Sequence, residues 1–98
     1  MIVRDSERPR RRAAEPSGEV AKEAAELGRR VRAARRRLGR DQDEIAFAAN
    51  VSPRTVFAIE KGKPTVRFDM LARVLATVGL RLGIEPRDAV WRPPVDRE

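Results

Sequence analysis

The sequence predicts an all-α fold of four to five helices followed by one short C-terminal strand. Apolar residues recur at spacings of three and four positions in four runs between residues 19 and 78, which is the periodicity of amphipathic helices. Residues that commonly begin and end helices flank these runs. After the last run, residues 80–84 (LRLGI) alternate apolar side chains with Arg and Gly, as strands do.

The helical runs occupy the centre of the chain, and both ends differ from it in composition. Residues 1–18 contain five Arg and two Pro with few large apolar side chains, so they cannot bury enough surface to offset the entropy of ordering. We therefore expect a disordered Arg-rich arm over residues 1–18, a folded domain over residues 19–85 and a flexible tail over residues 86–98.

The first predicted helix covers residues 19–38, between the start signals Ser17 and Gly18 and the stop signal Gly39. One face is apolar and consists of Val20, Ala24, Leu27, Val31, Ala34 and Leu38. The opposite face carries six arginines, most of which are expected to be solvated: Arg29, Arg30, Arg32, Arg35, Arg36 and Arg37.

The second predicted helix is short and covers residues 42–49. Asp41 and Glu44 have the spacing of a capping box, in which each side chain accepts a hydrogen bond from the backbone N–H of the other residue. Asn50 follows the helix and tolerates the left-handed conformation of a sharp turn. The inward side chains are expected to be Ile45, Ala46 and Ala49.

The third predicted helix covers residues 53–60. Ser52 is its expected N-cap, and Pro53 takes the first helical position, where a missing N–H is no loss. Gly62 ends it. The inward side chains are expected to be Val56 and Ile59.

The fourth predicted helix covers residues 67–78 and ends at Gly79. Its apolar face consists of Phe68, Leu71, Val74, Leu75 and Val78. The strand that follows has no partner strand elsewhere in the chain, so we expect it to pair with the same segment of a second copy in a homodimer; the alternative is an extended segment that lies on its own helices. The dimer strand consists of Leu80, Arg81, Leu82, Gly83 and Ile84.

Charge and composition restrict the function. The net charge is +7, and residues 19–39 alone hold seven Lys or Arg against three Glu, a balance that favours a polyanionic partner but also fits solubility alone. The chain has no Cys, His or Tyr, and its carboxylates are expected on exposed helical faces, so we expect no enzymatic activity, metal or cofactor. No stretch approaches the roughly 18 apolar residues of a membrane span, and we expect a cytoplasmic protein.

The corner between the two short helices, in AFAANVSPRTVFAIEKGKP (residues 46–64), has the pattern of a helix-turn-helix. Ala46 is small where the helices cross, Asn50 accepts a left-handed turn, and Val51 is apolar between them. A generic αα-corner is the alternative. Residues 27–84 resemble the XRE-type (Cro/C1, lambda-repressor-like) helix-turn-helix family, and within them residues 60–82 are similar to HipB-like antitoxins.

The resemblance implies a homodimeric transcriptional repressor that binds a palindromic operator in double-stranded DNA. The HipB-like branch further implies an antitoxin that represses its own operon and neutralises a HipA-type serine/threonine kinase toxin. A stand-alone XRE-type regulator without a toxin partner is the alternative, and a helical module that binds protein or RNA is a rival class. The chain departs from the family in having Arg40 and Asp41 where a Leu-Thr pair is common, and Asn50 where Gly is common.

Exposed positions of the third helix are expected to contact DNA. The expected base contacts are Ser52, Pro53, Arg54 and Phe57. A guanidinium at Arg54 can bind guanine O6 and N7 together, with a phosphate contact as the alternative, and Phe57 can contact thymine methyls or fold back onto protein. The expected phosphate contacts are Gln42, at the family's usual phosphate-binding position, together with Thr55, Lys61, Lys63, Arg36 and Arg37.

Both ends of the chain carry one further candidate each. The arm sequence RPRRR (residues 8–12) is suited to the minor groove or to a solubility tail. Trp91, the only tryptophan, is expected either to contact a toxin partner or to cover its own domain.

Overall fold

The computed structural model describes residues 17–86, which form four helices: α1 (Gly18–Arg37), α2 (Gln42–Ala49), α3 (Pro53–Glu60) and α4 (Phe68–Thr77). The predicted all-α architecture is confirmed, with every helix boundary within one residue of its expected position. The arm up to residue 16 and the tail from residue 87, with Trp91, lie outside the described residues. Within residues 17–86 no helix combines the length and apolarity needed to span a bilayer.

Within residues 17–86, the predicted strand forms no ladder. Residues 80–84 belong to no helix or strand in the described part of the protein. Leu80 packs against the core, whereas Leu82 is 40% exposed and Ile84 is fully exposed. Pairing of this segment with a second copy stays a prediction.

Local signals set the ends of the short helices. Asp41 Oδ1 accepts from Glu44 N at 2.8 Å, and Glu44 Oε1 accepts from Asp41 N at 2.8 Å, which completes the capping box. Asn50 adopts the left-handed conformation (φ 59°, ψ 48°) and ends α2. Ser52 Oγ accepts from the backbone of α3, and Pro53 is the first residue of that helix. These local contacts fix both ends of α2 and the start of α3, although each helix has only eight residues.

The core is aliphatic. Val31, Val56 and Val74, from α1, α3 and α4, are the largest side chains that are completely buried. The inward residues expected on the two short helices are all buried: Ile45, Ala46, Ala49, Val56 and Ile59. Since α3 packs on both α1 and α2, the core fixes the direction of α3 from two sides.

Three expected core residues lie at the surface instead. Val20, in the first turn of α1, and Leu38, its C-cap, are 49% and 51% exposed. Phe68, expected on the inward face of α4, is 70% exposed. It is the first residue of the helix and lies at the edge of the stripe formed by the buried residues Val74 and Leu75. All three phenylalanines of the chain are exposed, so the core formed by residues 17–86 consists of aliphatic side chains.

A glycine allows α1 and α3 to approach each other closely. A Cβ atom at Gly28 would collide with the backbone carbonyl oxygens of Ile59 and Glu60 at the C-terminal end of α3. Gly28 is buried and lies one turn before Val31 on the same face of α1. The absence of a side chain at this position therefore sets the distance between α1 and the end of α3.

Candidate nucleic-acid interface

The outer face of α3 presents three of the side chains that the sequence predicts to contact bases. Pro53 and Arg54 are exposed in the first turn, and Arg54 makes no hydrogen bond or ion pair within residues 17–86. Phe57 keeps half of its surface exposed (50%), because Val56 and Ile59 occupy the buried side. A guanidinium and an aromatic ring thus face solvent from one side of α3.

The Ser52 hydroxyl is largely committed to the helix start. Its Oγ accepts from Thr55 N at 3.1 Å and lies 3.1 Å from Thr55 Oγ1. A hydroxyl has one donor and two acceptor positions, so little capacity is left for a base. Thr55 is partly buried, and its hydroxyl also lies 3.9 Å from the sulfur of Met70. The structure places both residues at the start of α3, where they stabilise its first turn.

Lys61 lies against the Phe57 ring, with Nζ 5.4 Å from the ring centroid. This separation is within the range of cation–π interactions, which contribute about 0.5–1 kcal/mol at exposed sites. The contact limits where the Lys61 ammonium and the ring can move. The pair therefore joins an apolar surface, suited to bases, to a positive charge that is suited to phosphate.

The remaining expected phosphate contacts are divided between two places. Gln42, the first residue of α2, lines a groove with Phe57 and Lys61. Arg36 and Arg37 are exposed in the last turn of α1 and do not line this groove. Lys63 is exposed just after α3 and lines a separate apolar groove. The structure thus brings Gln42 and Lys61 together and leaves Arg36, Arg37 and Lys63 apart from them.

Behind this surface, Glu60 binds two partners that tie α3 to α1 and α2. Arg35 Nε and Nη2 donate to the two Glu60 carboxylate oxygens at 2.6 and 2.9 Å. Gln42 Nε2 donates to Glu60 Oε1 at 3.0 Å. Arg35 Nη1 also donates to the carbonyl of Arg40 at 2.9 Å, in the connection before α2. Helices α1, α2 and α3 are therefore joined through one carboxylate.

The expectation that the carboxylates lie on exposed faces is wrong for Glu60, and Arg35 is not on the solvated face of α1. Their side chains are 4% and 11% exposed. The cause is the close approach at Gly28, which brings the end of α3 against α1 and covers both side chains. A buried charge needs a partner, and the bidentate pairing supplies one for each residue.

The pairing also changes the ionisation of both groups. Burial opposes ionisation of the Glu60 carboxyl, but the hydrogen bonds from Arg35 and Gln42 outweigh it, and the pKa of Glu60 lies below its ordinary value of 4.5. The hydrogen bond to Glu60 raises the pKa of Arg35 above its ordinary value. Both groups are therefore charged at neutral pH, and the ion pair is intact there.

A signal for this pair is present in the sequence. Gly28, Val31 and Arg35 follow each other at spacings of three and four, so Arg35 continues the buried stripe of α1. Glu60 directly follows the inward Ile59. A count of apolar residues misses this stripe, because it includes one glycine and one arginine.

Comparison with known proteins agrees with this geometry. Residues 26–89, more than half of the chain, match the family described as "Helix-turn-helix domain". A protein of Sinorhizobium fredii (strain NBRC 101917 / NGR234), named "Uncharacterized HTH-type transcriptional regulator y4mF", is 36% identical over 63 residues, which cover 64% of this chain and 83% of that protein. The two short helices, the left-handed corner at Asn50 and the exposed face of α3 are the parts of such a domain, and the chain belongs to the helix-turn-helix domain family.

Proposed function

We propose that the protein is a sequence-specific DNA-binding transcriptional repressor that inserts α3 into the major groove. The observation that supports this most directly is the exposed face of α3, with Arg54 and Phe57 projecting from a helix that Glu60 ties to α1 and α2. The family and the printed name of the similar S. fredii protein support the same class of function. The proposal requires no catalytic group, and the protein is not proposed to be an enzyme.

Base contacts follow from the chemistry of the exposed side chains. Arg54 is proposed to bind O6 and N7 of a guanine with two hydrogen bonds, a contact that discriminates between bases by about 1–3 kcal/mol. Phe57 and Pro53 are proposed to pack on thymine methyl groups. Ser52 is the weakest candidate, because its hydroxyl is used within α3.

A homodimer on a palindromic operator is proposed for the assembled state. Leu82 and Ile84 are exposed apolar residues in the segment expected to pair with a second copy, which supports a surface covered on association. Two α3 helices in a symmetric dimer would contact half-sites about 34 Å apart, or one turn of DNA. Sedimentation of the free protein and of its complex with DNA tests this assembly.

An antitoxin role is the more specific form of the proposal. It is supported by the similarity of residues 60–82 to HipB-like antitoxins, with a HipA-type serine/threonine kinase as the toxin and Trp91 as a candidate contact. The stand-alone regulator is equally consistent with the family and with the printed name of the similar protein. Co-purification with a kinase encoded beside this gene would support the antitoxin, and the absence of such a gene would favour the regulator.

The proposed function is tested by comparing the affinity of the protein for two DNA duplexes. Fluorescence anisotropy should show that the full chain binds DNA from upstream of its own gene about 10³-fold or more tightly than a scrambled duplex of the same length. Equal affinity for both duplexes and for heparin would contradict the proposal. A helical module that binds protein or RNA would give that result.

A further inference from the structure

An apolar groove lies between α1 and α4. Because α1 packs mainly on α3 and α4 packs mainly on α2, the space between α1 and α4 is left partly unfilled by the described residues. The groove has a volume of about 170 Å³. Its apolar lining comes from α1, from the connection before α4 and from α4 itself, and includes Val20, Ala24, Leu27, Val66 and Leu71. Apolar surface of this kind is typical of a site that another segment covers.

The described part of the chain ends beside this groove. Pro86, the last described residue, lines a second groove along α1, and the two grooves share Glu23 and Leu27 as lining residues. Trp91 is five residues beyond Pro86, a distance of up to about 17 Å for an extended chain. The apolar groove follows α1 for about 10 Å, from Leu27 to Val20. The groove therefore lies within reach of Trp91.

An indole ring fits the groove in size and in chemistry. An apolar cavity of about 150 Å³ can hold a benzene ring, and this groove is slightly larger. Indole combines a large apolar surface with one N–H donor, so it suits a site that covers the ring and leaves its edge near water. Ala89 and Val90, directly before Trp91, add apolar surface to the same segment.

The charges of the groove also suit this segment. The lining contains one anion, Glu23, and one cation, Lys63. Glu23 is exposed and makes no hydrogen bond or ion pair within residues 17–86. Arg92 directly follows Trp91 and offers Glu23 an opposite charge. An exposed ion pair adds little to stability, so the apolar contact of Trp91 supplies most of the attraction.

We propose that the tail folds back on its own domain and that Trp91 occupies the apolar groove between α1 and α4. The tail then covers Val20 and Leu27 and joins two helices that otherwise pack on different neighbours. This contact does not use the exposed face of α3, so it is independent of the proposed DNA binding. A partner protein that binds Trp91 has to displace it from the groove first.

Intrinsic fluorescence tests the proposal directly, because Trp91 is the only tryptophan and the chain contains no tyrosine. The emission maximum of the free full chain should lie at a shorter wavelength than that of the same chain unfolded in urea. Acrylamide should also quench the emission of the folded chain less. Identical emission and quenching in the two states would show that Trp91 is in water and would overturn the proposal.

Val20→Asn tests whether the groove is the site. Val20 is 49% exposed, so its substitution should leave the buried core intact, while the polar amide makes the groove less favourable for an indole. The emission of Trp91 should shift to longer wavelength. Leu38→Asn is the matched control, because Leu38 is 51% exposed at the other end of α1 and lines a different groove. Equal emission spectra for the two variants would contradict the assignment of the groove.

Trp91→Ala provides a second measurement that does not alter the groove. The amide chemical shifts of Ala24, Leu27 and Leu71 should change in this variant, whereas that of Phe47 on the outer side of α2 should not. Changes confined to residues 87–98 would show that the tail does not contact the domain.

Dilution separates the two possible locations of the groove. The short-wavelength emission should persist at concentrations at which sedimentation shows a monomer. If the emission then moved to that of the unfolded chain, Trp91 would occupy the groove of a second copy and the contact within one chain would be wrong. None of these measurements involves DNA, so a failure of the proposed function would leave their outcome unchanged.

Discussion

Arg35 and Glu60 are 25 residues apart in the sequence, and two hydrogen bonds of 2.6 and 2.9 Å join their side chains. The pair connects α1 to the last residue of α3. Through Gln42 the same carboxylate reaches the first residue of α2. The orientation of α3, on which the proposed DNA contacts depend, is thus fixed by polar contacts as well as by the aliphatic core.

Removing one member of this pair should destabilise the fold. Arg35→Met or Glu60→Gln leaves a covered charge without its partner, which costs about 3 kcal/mol of the free energy of unfolding. The double variant Arg35→Met/Glu60→Leu should recover much of the loss, since no unpaired charge remains. Urea unfolding of the single and double variants measures the coupling.

Arg29 and Glu26 provide the control for that experiment. They form an ion pair of 2.6 Å on the exposed side of α1. Arg29→Met should change the free energy of unfolding by about 0.5 kcal/mol or less, as exposed pairs do. Equal losses of stability at Arg29 and Arg35 would show that the covered pair has no special role.

The same pair predicts how stability depends on pH. The pKa of Glu60 is lowered in the folded protein. The ionised carboxylate therefore stabilises the fold at pH values above its unfolded-state pKa, which is near 4.5. This stabilisation is lost as the pH falls below 4.5 and through the lower pKa of the folded state. The free energy of unfolding should therefore decrease from about pH 4.5 downward. Glu60→Gln should flatten this decrease. If the free energy of unfolding of that variant decreased just as steeply at acid pH, Glu60 would not be the group responsible.

Arg54 and Lys63 should differ in what their removal does to DNA binding. Arg54→Ala should weaken binding to the preferred duplex by about 1–3 kcal/mol and remove the preference at one base pair. Lys63→Ala should weaken all duplexes alike, because a phosphate contact carries no sequence information. Competition binding against a set of single-base-pair substitutions measures both. An unchanged preference profile for Arg54→Ala would show that Arg54 does not contact a base.

Gly28→Ala should displace the end of α3 or destabilise the domain. The added Cβ would collide with carbonyl oxygens of Ile59 and Glu60, and overpacking of this kind costs about 1–3 kcal/mol. Gly18→Ala is the control, because nothing lies within 4 Å of a Cβ there. Thermal unfolding of both variants should show a loss of stability only at Gly28. A gain in stability at Gly28, from better helix propensity, would mean that the two helices separate easily.

The parts of the fold that could be predicted from the sequence depend on neighbouring residues. Asp41 with Glu44, and Ser52 with Pro53, act over three residues or fewer, so their pattern is sufficient to position the helix ends. The left-handed turn at Asn50 likewise depends on the residue at that one position. These local signals explain why the helices and their corner agree with expectation.

The parts that could not be predicted depend on contacts between distant residues. Periodicity assigns charged residues to solvent, so it places Arg35 and Glu60 at the surface, although Gly28 brings their helices close enough to cover both. The same rule places Phe68 inside, whereas Val74 and Leu75 fill that face of α4. The expected pairing of residues 80–84 with a second copy is a contact between chains, and it stays a prediction.

The central claim is that the face of α3 with Arg54 and Phe57 contacts DNA. The most direct test measures the changes in the amide chemical shifts of the protein when the upstream duplex is added. We expect the largest chemical-shift changes at Ser52, at residues 54–58 and at Gln42, with small changes at Phe47 and Ala48 on the outer side of α2. Large shifts at Phe47 and Ala48, with α3 unaffected, would contradict the claim.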